Sequence, residues 1–204
     1  MLDFSLDPLI KCIVALFVIM DPLASLPTFL VLTRKQNILE HRESAFLAAG
    51  VAGAVLVLFT LIGPMLMDSL SISMPAFQIA GGILILVMSI QSFLGVEIKN
   101  EAEKGLNVAA VVVGVPLLTG PGAMTTAVIL ASQYGMASVF IGATVVVVLT
   151  LFILLLAGPI HKIIGRLGLA VLSKVMAILL AAVAIEFIKL GMQQILSEWA
   201  LVHL

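Results

Sequence analysis

The chain has 204 residues, of which 62% are hydrophobic and 10% charged, with a formal net charge of −1. Soluble domains carry about 25% charged residues, so this composition excludes a soluble globular protein and points to an integral membrane protein surrounded by lipid bilayer. No nucleic-acid partner is expected. Charged side chains are absent from residues 44–67, 69–96 and 105–161, and the last window is long enough for two spans. At roughly 20 apolar residues per span, the spacing predicts six transmembrane helices over residues 8–32, 44–67, 74–95, 107–131, 137–160 and 173–196.

The first predicted helix is interrupted. Residues 21–27 read Asp-Pro-Leu-Ala-Ser-Leu-Pro, and an ionisable side chain at membrane depth is a functional-site hypothesis in itself. Pro22 and Pro27 each lack an N–H and crowd the preceding turn, which argues against an unbroken helix. Asp before Pro is also a helix start, with Asp21 as N-cap and Pro22 in the first helical position. The expected outcome is a helix that stops and restarts near the midplane, tolerated where it is buried in protein or lines a cavity.

Helix 2 is expected to end at Gly63-Pro64. Helix 3, which carries Gly81-Gly82, is expected to end at Gly95. Gly81-Gly82 has two readings: close helix approach, or, with Gln78 one turn earlier, a polar face toward a cavity. Residues 97–106 form a solvated linker. The second half repeats the punctuation, with helix 4 broken at residues 119–122 (Thr-Gly-Pro-Gly), helix 5 ending at Gly158-Pro159 and helix 6 ending near Gly191. A three-helix unit crosses the bilayer an odd number of times, so its second copy must be inverted. The predicted organisation is therefore repeat 1 over residues 1–96, the linker over 97–106 and repeat 2 over 107–204. Paired interruptions in matching positions of two inverted repeats point to a central binding site in secondary transporters.

Arg34, Lys35, Arg42, Lys99, Lys104, Lys162, Arg166 and Lys174 fall in or beside three of the connections. By the positive-inside rule those connections are cytoplasmic and both termini lie outside. Cys12 is the single cysteine and has no internal partner. No metal-ligand spacing surrounds His41, His161 or His203, and neither a metal nor another cofactor is expected.

The two breaks differ in sign. Asp21 presents a carboxylate, with Ser25 and Thr28 adding hydroxyls on the following turns. The second break, at Thr119, Gly120, Pro121 and Gly122, presents the bare N–H groups of a helix N-terminus, which attract an anion. Thr125 and Thr126 follow one turn later. Together the breaks complement a zwitterion. Glu186 and Lys189 share one face of helix 6; they are read either as a neutralising pair or, for Glu186, as a competitor to Asp21 for the group that loads a coupling ion.

Residues 21–27, residues 117–122 (Leu-Leu-Thr-Gly-Pro-Gly), residues 80–82 (Ala-Gly-Gly) and the helix over residues 174–191 together resemble the MarC family of multi-spanning membrane proteins, over essentially the full length. The resemblance implies six spans and transport of small neutral amino acids such as glycine and alanine, an activity assigned to some members. The chain departs from the usual family pattern at Asp21, where Asn is commoner, at Ala177, where Gly is usual, and at Glu186, where Gln often stands. A carboxylate can carry a proton and an amide cannot, so these departures bear on the coupling ion.

The reading reached is an all-α secondary transporter of the plasma (inner) membrane for glycine, alanine or serine, coupled to a proton or sodium ion or working by exchange or export, and able to form a homo-oligomer. It is not expected to be an enzyme. The alternatives are a channel, a structural membrane protein, or a two-carboxylate intramembrane enzyme using Asp21 and Glu186. The topology has a direct test. A cysteine introduced near Lys104 should resist an impermeant thiol reagent in intact cells, and strong labelling there would reverse the orientation.

Overall fold

The computed structural model describes residues 6–34, 36–95 and 121–202, which form helices joined by short turns. Seven helices lie among the described residues: α1 (Leu6–Met20), α2 (Ser25–Leu32), α3 (Ile38–Ser69), α4 (Met74–Leu94), α5 (Pro121–Tyr134), α6 (Met136–Leu155) and α7 (Ala157–Val202). Four segments are long and apolar enough to cross a membrane: α3, α4, α6 and the Leu167–Trp199 part of α7. The α1–α2 pair, bent by 52°, makes a fifth if counted as one broken span. The first part of the predicted fourth span lies outside the described residues, as do the linker over residues 97–106, Thr119 and Gly120.

Local chemistry explains where the helices begin. An Asn37/Glu40 capping box, in which Asn37 accepts from the Leu39 and Glu40 N–H groups and Glu40 accepts from the Asn37 N–H, starts α3 at Ile38. That start is six residues ahead of the hydropathy boundary, because a reciprocal cap satisfies the free N–H groups of a first turn that already lies among charged residues. The Ser73 hydroxyl caps α4, and Gly95, with φ 71°, ends it in the left-handed conformation, at the boundary predicted. The Lys174 ammonium reaches across from α7 to donate to the Phe93 carbonyl at 2.6 Å, occupying one of the C=O groups that a helix end leaves free.

Three predicted helix ends are corrected. Gly63-Pro64 does not end helix 2, since α3 runs through it to Ser69. Stopping there would leave several backbone groups without partners at membrane depth, a larger cost than the single bond that proline removes. Gly158-Pro159 does not end helix 5 either: α6 closes at Leu155 and the dipeptide falls in the first turn of α7, where the N–H groups have no intrahelical partner to lose. The interruption in this region is instead Gly165, at φ 70° and ψ 173°. Finally, Gly191 lies inside α7 and serves as a contact: a Cβ there would stand 2.7 Å from the Pro75 carbonyl oxygen and 2.7 Å from Ile79 Cγ1.

Packing is organised around α4. A Cβ on Gly81 would collide with the Thr125 side chain of α5, and one on Gly82 would stand 2.7 Å from the Ala184 carbonyl oxygen of α7. Adjacent helical residues point about 100° apart, so the two glycines let α4 lie against α5 on one side and α7 on the next. Of the two readings of this pair, the geometry supports close approach. The principal helix pairs are α4 with α7, α3 with α6, α1 with α6, α3 with α5, α4 with α5, α1 with α5, α5 with α6, and α7 with α1 and α2. Their interiors are filled by Leu16, Met20, Phe29, Leu56, Ile85, Ile129 and Leu154, each essentially inaccessible.

Gly82→Val should force the α4 and α7 backbones apart and cost about 1–3 kcal/mol, the usual range for overpacking. A lowered thermal midpoint in detergent reads this loss. Gly50→Ala, at an exposed helical position with nothing within 4 Å of the new Cβ, should leave the midpoint unchanged or raise it slightly.

Candidate functional site

The break between α1 and α2 is built by Asp21. Its N–H closes the last turn of α1 on the Phe17 carbonyl at 3.1 Å, and its φ of 39° then turns the chain out of the helix. Short polar side chains such as Asp tolerate this left-handed region better than most. The Oδ1 atom accepts from the Ala24 N–H at 3.1 Å, and the Asp21 carbonyl accepts from both the Ser25 N–H (3.3 Å) and the Ser25 hydroxyl (3.1 Å). Asp21 therefore closes one helix and caps the turn that leads into the next. The restart comes at Ser25 rather than at Pro22, because residues 22–24 form that turn. Pro27 falls in the first turn of α2, where a missing N–H breaks no helical bond.

The capping bond occupies only one carboxylate oxygen. Asp21 is half-buried, and among the described residues Oδ2 has no hydrogen bond and no cation pairs with the group. Thr28 is half-buried one turn beyond Ser25.

The first described turn of α5 meets this break. A Cβ on Gly122 would lie 3.1 Å from Ile85 Cγ1, 3.4 Å from Met88 Sδ and 3.9 Å from Ile19 Cγ2. Gly122 thus sits beside Ile19, two residues before Asp21, and beside the α4 turn that follows Gly81-Gly82. Its neighbour Pro121 opens α5 among the described residues. Thr125 is buried against Gly81, and Thr126, one turn from Gly122 on nearly the same face, is fully buried with no hydrogen-bond partner for its hydroxyl. Gln78 is 1% exposed, and neither amide atom has a partner; its Cβ lies against Gly191. A buried polar group without a partner costs about 1–3 kcal/mol, so Gln78 and Thr126 are groups that a polar ligand or water would satisfy.

Glu186 is not part of this constellation. It lies on the outward face of α7, ion-paired to Lys189 at 2.8 Å with 53% of each side chain exposed, which is the arrangement of the neutralising pair. The apolar neighbours Ile19, Ile85 and Met88 escaped sequence reasoning, since nothing in an apolar span distinguishes a site-lining Ile from a lipid-facing one.

A bundle of apolar helices with one span broken at a carboxylate defines the class as a multi-spanning α-helical integral membrane protein. Within that class, the chain belongs to the MarC family of integral membrane proteins, which it matches over residues 6–196. A UPF0056 membrane protein of Buchnera aphidicola subsp. Schizaphis graminum is 31% identical over 211 residues, covering 100% of this chain and 98% of the relative. One from Archaeoglobus fulgidus is 32% identical over 191 residues, covering 88% and 89%. The UPF0056 membrane protein YhcE of Escherichia coli is 27% identical over 205 residues, covering 94% and 95%. No solved structure matches the chain.

Asp21→Asn keeps a capping oxygen and a residue that tolerates positive φ, so its thermal midpoint should stay close to that of the parent. Asp21→Val loses the cap and places a β-branched residue at φ 39°, and should cost about 1–3 kcal/mol, read in the same melt.

Proposed function

We propose that the protein is a secondary transporter for small neutral amino acids, with the break at Asp21 and the start of α5 as the two halves of its binding site. The observation that carries this reading is the approach of Gly122 to Ile19, close enough that a Cβ on Gly122 would lie 3.9 Å from Ile19 Cγ2, which brings the carboxylate-bearing helix break and the first described turn of α5 together. In this reading the substrate ammonium faces Asp21 Oδ2, with Ser25 and Thr28 beside it. The substrate carboxylate faces the N–H groups at the start of α5, after Gly120 and Pro121, with Thr119, Thr125 and Thr126 as hydroxyl partners. Gly122 leaves room for close approach, which favours glycine, alanine or serine over larger residues. Gly81 supports the site from α4 by seating Thr125, Gly82 holds α4 against α7, and Gln78, about two turns from the Ile85 and Met88 wall, faces Gly191 of α7 and offers its unpartnered amide on that side.

The packing also supports two inverted three-helix repeats. Exchanging the half that holds α1 to α4 with the half that holds α5 to α7 maps the α4–α7, α3–α6 and α1–α5 pairs onto themselves, the α1–α6 pair onto α5–α3, and the α4–α5 pair onto α7 with α1 and α2, while the α5–α6 pair has no comparable counterpart among the described residues. Such an arrangement allows alternating access around a fixed central site. Asp21 is the coupling candidate, for a proton or for sodium, because among the described residues it is the half-buried carboxylate without a cation. The proposed setting is the inner membrane with both termini outside.

The test is uptake of labelled glycine and alanine into proteoliposomes under imposed proton or sodium gradients. The parent protein should show saturable, gradient-dependent uptake. Asp21→Asn should remain folded and lose gradient-driven uptake, and Gly122→Val should raise the half-saturating concentration at least about tenfold through intrusion on Ile85 and Met88. Unchanged affinity and unchanged gradient dependence in Asp21→Asn would reduce Asp21 to a helix cap and remove the anionic half of the site.

A further inference from the structure

We infer that the groove between α4 and α7 at the Gly95 end of α4 binds an anionic phospholipid, with one acyl chain in the groove and the phosphate at Lys174. The groove has a volume of about 320 Å³; its floor is made of Ser89, Ala177 and Ala181, and its walls of Ile90, Phe93 and Ile178. The wall residues are exposed while Ser89 and Ala177 are buried, so the groove opens outward from the bundle. Elsewhere along the same helix pair Ile188 packs on Gly82 and Ile79 on Gly191, and large side chains fill the seam. At the Gly95 end the facing residues are short on both helices, which leaves it open.

Depth and lining decide what enters. The helix α4 has 21 residues, about 31 Å at 1.5 Å per residue, which matches the hydrocarbon thickness of a bilayer. Its Gly95 end therefore stands at the boundary between hydrocarbon and headgroups, and from Phe93 back to Ser89 the groove runs inward by about 6 Å. Ser89 is the one polar side chain in the lining, and its hydroxyl already donates to the Leu86 carbonyl at 2.7 Å. An unfilled gap forfeits the dispersion contacts of its walls. An acyl chain is the apolar group that the bilayer supplies on the open side.

Lys174 selects the headgroup. Its ammonium donates to the Phe93 carbonyl at 2.6 Å and lies 4.8 Å from the centroid of the Phe93 ring. Phe93 is also a wall of the groove, so the charge is held at the groove's boundary end. An ammonium has three donors, and among the described residues no carboxylate pairs with this one. The group that a phospholipid places at that level is a phosphodiester, and basic pockets between transmembrane helices are where acidic headgroups bind. A zwitterionic lipid would bring a second cation beside Lys174, which like-charge repulsion disfavours. The charge and the groove thus call for the two ends of one molecule.

The experiment is native mass spectrometry of the purified protein in detergent, titrated with equal amounts of dioleoyl phosphatidylglycerol and dioleoyl phosphatidylcholine. The parent should retain phosphatidylglycerol about fivefold more tightly, the worth of one basic residue at an anionic membrane surface. Lys174→Gln can still donate to the Phe93 carbonyl and should abolish the preference, whereas Lys11→Gln, which removes a lysine paired with Asp7, should preserve it. Ala181→Leu extends a floor side chain into the groove and should weaken both lipids without changing their ratio. Glycerol 1-phosphate, an anionic headgroup with no chain, should not displace the bound lipid. Equal retention of the two lipids by the parent, or a preference that survives Lys174→Gln, would overturn the inference. Displacement by glycerol 1-phosphate at the lipid's own concentration would make this a phosphate site and overturn it too, as would full lipid retention by Ala181→Leu at the parental thermal midpoint. If Ala181→Leu lowers that midpoint, Lys174→Gln and the competition decide.

Discussion

The structure depends on one constraint: inside a bilayer no water completes the hydrogen bonds of an open backbone, so every departure from helix must carry its own partners. The α1–α2 break meets it internally. Asp21 accepts the Ala24 N–H on its side chain and the Ser25 N–H and hydroxyl on its carbonyl, and Pro22 removes a donor that would otherwise need a partner. The same constraint explains why Pro64, with no comparable capping group beside it, lies within a continuous α3. A proline in a span is thus not in itself a helix end. The residues that can take over the exposed N–H and C=O groups decide whether the chain turns.

Close helix approach extends the constraint to tertiary structure. Gly81, Gly82 and Gly191 bring α4 into near-backbone contact with α5 and α7, and dispersion between surfaces at that distance replaces the hydrophobic drive that lipid cannot provide. Because Gly81 and Gly82 face different helices, α4 fixes the spacing between α5 and α7. It also brings Ile85 and Met88 against Gly122, so the helix that holds the bundle together walls the candidate site.

Much of this was legible in the sequence, for identifiable reasons. The Asp21-Pro22 break could be read because cap chemistry and an intramembrane charge coincide there, and the Gly95 terminus because glycine at a helix end has a conformational meaning. The Gly63-Pro64, Gly158-Pro159 and Gly191 ends were misread because the same residue types also serve continuous helices, as contacts or first-turn positions, and only a neighbouring helix distinguishes the roles. The capping box at Asn37 and Glu40 was present in the sequence, but the hydropathy boundary at residue 44 hid it, since a helix can extend past the bilayer. The meeting of Gly122 with Ile19 depends on the crossing of α1 and α5, which no local pattern encodes.

The chain's acidic groups at membrane depth are handled in opposite ways, and the difference separates their roles. Asp21 is turned inward at a break, shares one oxygen with the backbone and has no cation beside it among the described residues, so its remaining oxygen is available to a group that arrives from outside the fold. Glu186 is turned outward on an unbroken stretch of α7 and already neutralised by Lys189. An ion pair of that kind cannot readily bind or release a small cation without first breaking. Inward, unpaired charge suits recognition of a ligand; the outward pair is satisfied within its own helix. Both the first described turn of α5 and the Ala184–Ile188 turn of α7 are packed against α4. Any movement of α4 between these neighbours would therefore move the Ile85 and Met88 wall of the candidate site.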